Sequence, residues 1–152
     1  MGAGANRMLR IGMIVALCAS LLGCAGVAQS IREREKEIIN SKKIPDATLA
    51  PDQVGLLKKL SDDSQVVWSK AGMQADGKVF VCYVTKTPQK NIYGKKLRDL
   101  VYVHAGVFES ANTFNEISSV LLTDSGFIAC REKGIDPPVK GVLRNRFDFT
   151  DN

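Results

Sequence analysis

The stretch KVFVCYVTK, residues 78–86, constrains the fold more than any other. Successive side chains of a strand point to opposite faces of its sheet. Here Val79, Val81 and Tyr83 point one way, and Phe80, Cys82 and Val84 point the other. Both sets are largely apolar, so the segment reads as a central strand that must be covered on both faces. Asp76-Gly77 just ahead of it is the strongest short hairpin signal in the chain. The partner before that turn is QVVWSKAG, and LVYVHAGVF supplies the next strand after a polar loop, TPQKNIYGKKLRD. FIACRE, which carries Cys130, reads as a last strand.

Around these strands the periodicity changes. In PDQVGLLKKL, Val54, Leu57 and Leu60 share one helical face with Leu56 alongside, and Pro51 suits the first helical position. Gly55 weakens that helix by about 1 kcal/mol. ESANTFNEISSVLL is ambiguous, with Phe114, Ile117, Val120 and Leu121 spaced for a helix face. Upstream, Ser30 and Glu33 form a capping box that would open a charged helix, IREREKEIINSKK. Its bland reading is a solvated tether; its sharper one is a partner-binding stripe of Ile31, Ile38 and Ile39. The expected fold is α+β, a small antiparallel sheet of about four strands with one or two packing helices. The expected boundaries are a leader over 1–23, a tether over 24–50, a globular domain over 51–136 and a tail over 137–152. The tail is either disordered or packed through Phe147 and Phe149.

The amino terminus addresses location. Arg7 and Arg10 precede an uncharged run from Ile11 to Leu22. At twelve residues it is too short to span a bilayer, which takes about 20, and it suits the apolar core of a secretory signal. Met8 would serve as a start as well as Met1, and Asn6 stands where myristoylation wants Ser or Thr. The run ends in Leu21-Leu22-Gly23-Cys24, which resembles the lipobox of bacterial lipoproteins. That resemblance implies a diacylglycerol on the Cys24 thiol, cleavage after Gly23 and acylation of the new amino terminus. Several acyl chains anchor stably where one does so only marginally. Ala25 in place of an Asp implies sorting to the outer membrane, with the domain on the periplasmic face. An ordinary cleaved signal with a chance cysteine is the alternative.

Removal of residues 1–23 leaves 129 residues, enough for one domain, and lowers the formal charge from +5 to +3. So mild an excess argues against nucleic acid, which calls for a strongly basic face. Anionic headgroups or acidic glycans are the partners an exported protein meets. Cys18 leaves with the leader and Cys24 takes lipid, so Cys82 and Cys130 remain. In an oxidising compartment they read as a disulfide closing about 49 residues, worth about 4 kcal/mol in the chain-entropy model. Two buried thiols are the alternative, then a metal pair with His104, for which the spacing is a poor zinc signature.

The order LSDDS, VFVCYVT, KNIYGKKLRDLVYV is similar to a group of small exported proteobacterial proteins. That group carries an Asp-Pro-Asp-Ser-like turn, a Cys-Gly-x-Val-Asn strand and an Asn-x-x-Gly-Gly-Tyr-x-Gly loop. Leu60, Asp62, Asp63 and Ser64 match the first element, Cys82 and Val84 the second, and Asn91, Tyr93 and Gly94 part of the third. Tyr83 and Thr85 replace the Gly and Asn of the strand. The likeness implies a fold and no reaction.

No dinucleotide fingerprint, phosphate loop, nucleophile elbow or metalloprotease motif occurs, and no cofactor is expected. Asp62 and Asp63 read as turn and capping residues. A Ser or Cys nucleophile needs a base, and the one histidine, His104, falls in a strand beside Leu100 and Tyr102. Packing is the ordinary fate of such a residue, so no catalytic residue is expected. The best binding candidate is the loop that carries Lys86, Lys90, Asn91, Tyr93, Gly94, Lys95, Lys96 and Arg98. Loops on a rigid scaffold often carry binding. The expectation is a non-enzymatic, lipid-anchored envelope protein with a protein partner, or else an inhibitor of an attacking enzyme. A hydrolase would have to use His104.

Overall fold

A computed structural model describes residues 26–61, 64–117, 123–140 and 148–150. The expected leader, Cys24, Asp62, Asp63, Val120, Leu121 and Phe147 lie outside them. The chain divides into two units, Met1–Ile38 and Ile39–Asn152. In the first, residues from 26 onward are helical. Ser30 is therefore inside helix α1 (residues 26–42) and does not cap it. Ala28 and Gln29 are good helix formers, and Gln29 donates a side-chain hydrogen bond to Glu33 at 3.2 Å. Among the described residues no helix is long and apolar enough to cross a membrane.

The second unit is built on a five-stranded antiparallel sheet in simple sequential order. Its strands are β1 (Asp46–Ala47), β2 (Gln65–Met73), β3 (Val79–Lys90), β4 (Lys96–Ser110) and β5 (Thr113–Glu116). Helix α2 (Pro51–Leu60) lies between β1 and β2, and α3 (Thr123–Glu132) follows β5. A two-stranded pair, β6 (Val139–Lys140) with β7 (Asp148–Phe149), completes the unit. The fold is α+β with a small sheet and packing helices. Asp46 and Ala47, expected in a tether, pair with Gly72 and Ala71 at the edge of the sheet.

Strand β3 is central, as its two apolar faces require. Phe80, Cys82 and Val84 face one layer with Val101, Val103 and Ala105 of β4, Cys130 of α3 and Ile135. Val81 and Tyr83 face the other with Ala71, Phe108 and Leu57 of α2. The expected stripe on α2 is rotated: Leu57 is fully buried and Leu56 packs beside it, while Leu60 is exposed. Pro51 opens α2, and the Gln53 side chain accepts from the Ala50 amide at 2.9 Å.

Two expected elements change type. FIACRE is helical, because Phe127 and Cys130, three residues apart, meet the sheet from one helix face. Gly134 stops this helix: its φ of 73° is left-handed, and the Ile135 amide donates back to the Cys130 carbonyl. Phe114 belongs to β5, because a tight turn at Ser110–Thr113 folds the segment back along β4 and overrides its helical spacing. The last stretch is not a free tail, since Val139 and Phe149 pack against the core.

Cys82 and Cys130 form a disulfide joining the central strand to α3, with Cα atoms 5.7 Å apart. Both sulfurs that a metal pair with His104 would need are thereby taken.

Candidate functional site

The polar loop expected after the central strand is a continuation of the ladder. Strands β3 and β4 pair without a break from Val79↔Phe108 to Gln89↔Arg98 and shift register only at Lys90↔Lys96. The connection is the five-residue turn Asn91–Lys95. Gly94 sits at φ 75° and donates to the Asn91 carbonyl, and the Asn91 amide donates to the Lys95 carbonyl. The Asn91 side-chain oxygen accepts from the Tyr93 and Lys95 amides at 3.0 and 2.9 Å. Gln74–Lys78, between β2 and β3, closes the same way, with Gly77 at φ 81°. Both are turns with a left-handed glycine and a bulge. A common x-x-x-Gly-Lys pattern, QADGK and NIYGK, was the signal for a hairpin where a loop was expected.

Strand β2 reaches only to Lys86 of β3 and β5 only to Gly106 of β4, so among the described residues the hairpin beyond Lys86 and Val101 is a two-stranded arm. The candidate binding residues divide along it. Asn91 and Gly94 build the turn. Lys86, at the base, lies 4.7 Å over the Phe149 ring. Lys96 pairs with Asp99 at 3.0 Å, and Arg98 donates to the Gln89 side chain at 2.9 Å. Lys90, Tyr93 and Lys95 are exposed at the tip. Sequence reasoning missed Ile92, which is 91% exposed beside Tyr93 at 81%, and Leu97, also exposed. An isolated apolar residue in a polar run carries no periodicity to mark it. Its importance is visible only once the turn places it at the apex.

A second cluster lies on the α2 face of the sheet. His104 of β4 has Thr85 Oγ1 of β3 2.9 Å from Nε2 and Glu116 Oε1 of β5 2.9 Å from Nδ1. Tyr83 stacks on the imidazole with centroids 4.7 Å apart and planes inclined by 11°. A carboxylate only accepts, so Nδ1–H donates to Glu116 and, in the neutral ring, Nε2 accepts from the Thr85 hydroxyl. This is the order of groups in a hydrolytic triad. A nucleophile must be reachable, however, and Thr85 is 2% exposed. What the array does is join three adjacent strands through side chains. Burial, helped by the charge of Glu116, holds the Tyr83 phenol above the usual tyrosine range.

The described residues also outline an open depression of about 310 Å³ between α2 and the β4–β5 turn, lined by Pro51, Asp52, Gly55, Leu56, Lys59 and Asn112. It brings together no pair of acid and base at hydrogen-bonding distance. No family model matches this chain, and no curated protein or solved structure matches it either.

Proposed function

We propose that this chain is a non-enzymatic envelope protein of a Gram-negative bacterium, held by lipid on Cys24 at the periplasmic face of the outer membrane. Its folded unit serves as a binding or assembly module. One observation carries the binding part of the reading. The two-stranded arm bears Lys90, Lys95, Lys96 and Arg98 against a single acid, Asp99, on the described residues with the least burial in the sheet. Lys90 and Lys95 stand exposed at the tip and are available to an acidic surface, Lys96 shares its charge with Asp99, and such contact weakens with salt. The anchoring part is supported by the sequence around Cys24 alone.

The test is crosslinking of the tethered protein in intact envelopes, followed by pull-down, with Lys90, Lys95 and Lys96 reversed to Glu in a second strain. The proposal expects crosslinked products that the reversal removes. Identical products from both strains would take the arm out of the function. A second reading, an inhibitor of an attacking enzyme, is favoured by the apex itself: Ile92 and Tyr93 project from a narrow turn of the kind that enters a cleft.

A further inference from the structure

We propose that the acidic surface met by the arm is an anionic lipid bilayer, with Ile92 and Tyr93 entering the headgroup boundary. This rests on the reading of the arm as the binding element. Ile92, Tyr93 and Leu97 put three exposed large apolar side chains within six residues, while the turn that carries them is fixed from inside by Asn91. The apolar pair sits at the apex, and the cations stand behind it: Lys90 precedes the turn, Lys95 closes it, and Lys96 pairs across from Lys90. Strand residues advance about 3.3 Å each, so the ammonium groups trail the apex by roughly one to three residues. Interfacial segments bury their apolar side about 5–10 Å into the headgroup and acyl boundary. The spacing therefore brings the lysines to the phosphate level when the apex is inserted.

The chemistry of the individual side chains agrees. Tyrosine favours a position with its ring in the apolar layer and its hydroxyl in the wet one. Lysine lays its methylene stem along apolar matter and keeps its charge in the headgroups. A convex tip with two projecting side chains needs a preformed pocket on a protein partner. A bilayer yields to it without one, and its negative surface potential complements Lys90 and Lys95, each worth about fivefold in affinity near such a surface, with Lys96 partly offset by Asp99.

The test uses the full chain carrying Tyr93→Trp and Cys24→Ser, so that no acyl chain supplies the binding, with brominated lipids as depth-dependent quenchers. Trp68, the single native tryptophan, is half-buried in the core and gives the background in the parent protein. With vesicles containing brominated phosphatidylglycerol, the expected result is quenching of the Tyr93→Trp protein beyond that background. Reversal of Lys90, Lys95 and Lys96 to Glu should raise the lipid concentration needed by at least about a hundredfold, and pure brominated phosphatidylcholine should quench far less. Equal quenching by both lipids, or none beyond background, overturns the inference. If no quenching occurs while envelope crosslinks still depend on the lysines, the acidic surface is a protein and only the lipid assignment fails. If the crosslinks are also insensitive to the lysines, the arm has no binding role and both readings fail.

Discussion

The two halves of the β3–β4 hairpin share one hydrogen-bonded ladder and are held in opposite ways. In the inner half, Phe80–Thr85 faces Tyr102–Val107 with helices on both sides, a disulfide to α3 and the Thr85–His104–Glu116 array across three strands. In the outer half, from Thr87 to Leu100, the described residues give strand pairing, the turn bonds of Asn91, one ion pair, one Arg98–Gln89 bond and, at the base, a hydrogen bond between the Thr87 and Ser64 hydroxyls at 2.5 Å. A two-stranded ribbon is marginal in water by itself, so the outer half borrows its order from the inner one. That division separates the residues that determine stability from those free to meet a partner.

The comparison can be broken from its stable end first. Replacement of Cys82 and Cys130 by Ser should lower the unfolding free energy by about 4 kcal/mol, as expected for a loop of this length. Urea titration checks it, and a loss below about 1 kcal/mol would mean that the helices alone fix the inner half. His104→Ala removes the partner of a buried hydroxyl and of Glu116 and should cost about 2 kcal/mol. Thr85→Val, which removes the hydroxyl at nearly constant shape, should cost clearly less.

The Tyr83 phenol sharpens the same end through pH. Its folded pKa is raised, while an unfolded tyrosine releases its proton near about pH 10. Its contribution is therefore complete below about pH 10 and is lost as pH rises toward the folded value. Unfolding free energies measured at increasing alkaline pH should fall, and Tyr83→Phe should make that limb shallower. At the small end of the scale lie the outer-half variants. Ile92→Ser and Lys95→Glu should each move the unfolding midpoint by an amount equivalent to less than about 0.5 kcal/mol. A larger loss would show that the arm is part of the fold's support.

How much of this was legible in the sequence follows from the physics of each segment. The central strand was plain, because Val79–Val84 is apolar on both faces and no helix or loop accounts for that pattern. The fold class and the disulfide pairing followed from it and from the cysteine count. Helix α3 is not legible from FIACRE, since six residues with four apolar ones in a row fit a strand and a helix alike. The signal available was Gly134 two residues past the end, which the structure shows in the left-handed conformation that stops a helix. The arm reads as a loop in the sequence because its lysines and Pro88 lower strand propensity, and pairing with an already fixed β4 outweighs propensity. The eight candidate binding residues did fall on one hairpin, yet the structure gives them three different duties: Asn91 and Gly94 form the turn, Lys86, Lys96 and Arg98 have local partners, and Lys90, Tyr93 and Lys95 remain exposed. The His104 array was invisible because it joins residues from three strands, and only the register brings Thr85 and Glu116 to either side of one imidazole.

The division of the hairpin is tested most directly by native-state hydrogen exchange, read amide by amide along β3 and β4. The account predicts that hydrogen-bonded amides from Phe80 to Val84 and from Val103 to Val107 exchange only with global unfolding. Those between Gln89 and Leu97 should exchange far faster, through local opening. Uniform protection from Val79 to the Asn91 turn would contradict it, because the outer half would then be as firmly held as the core.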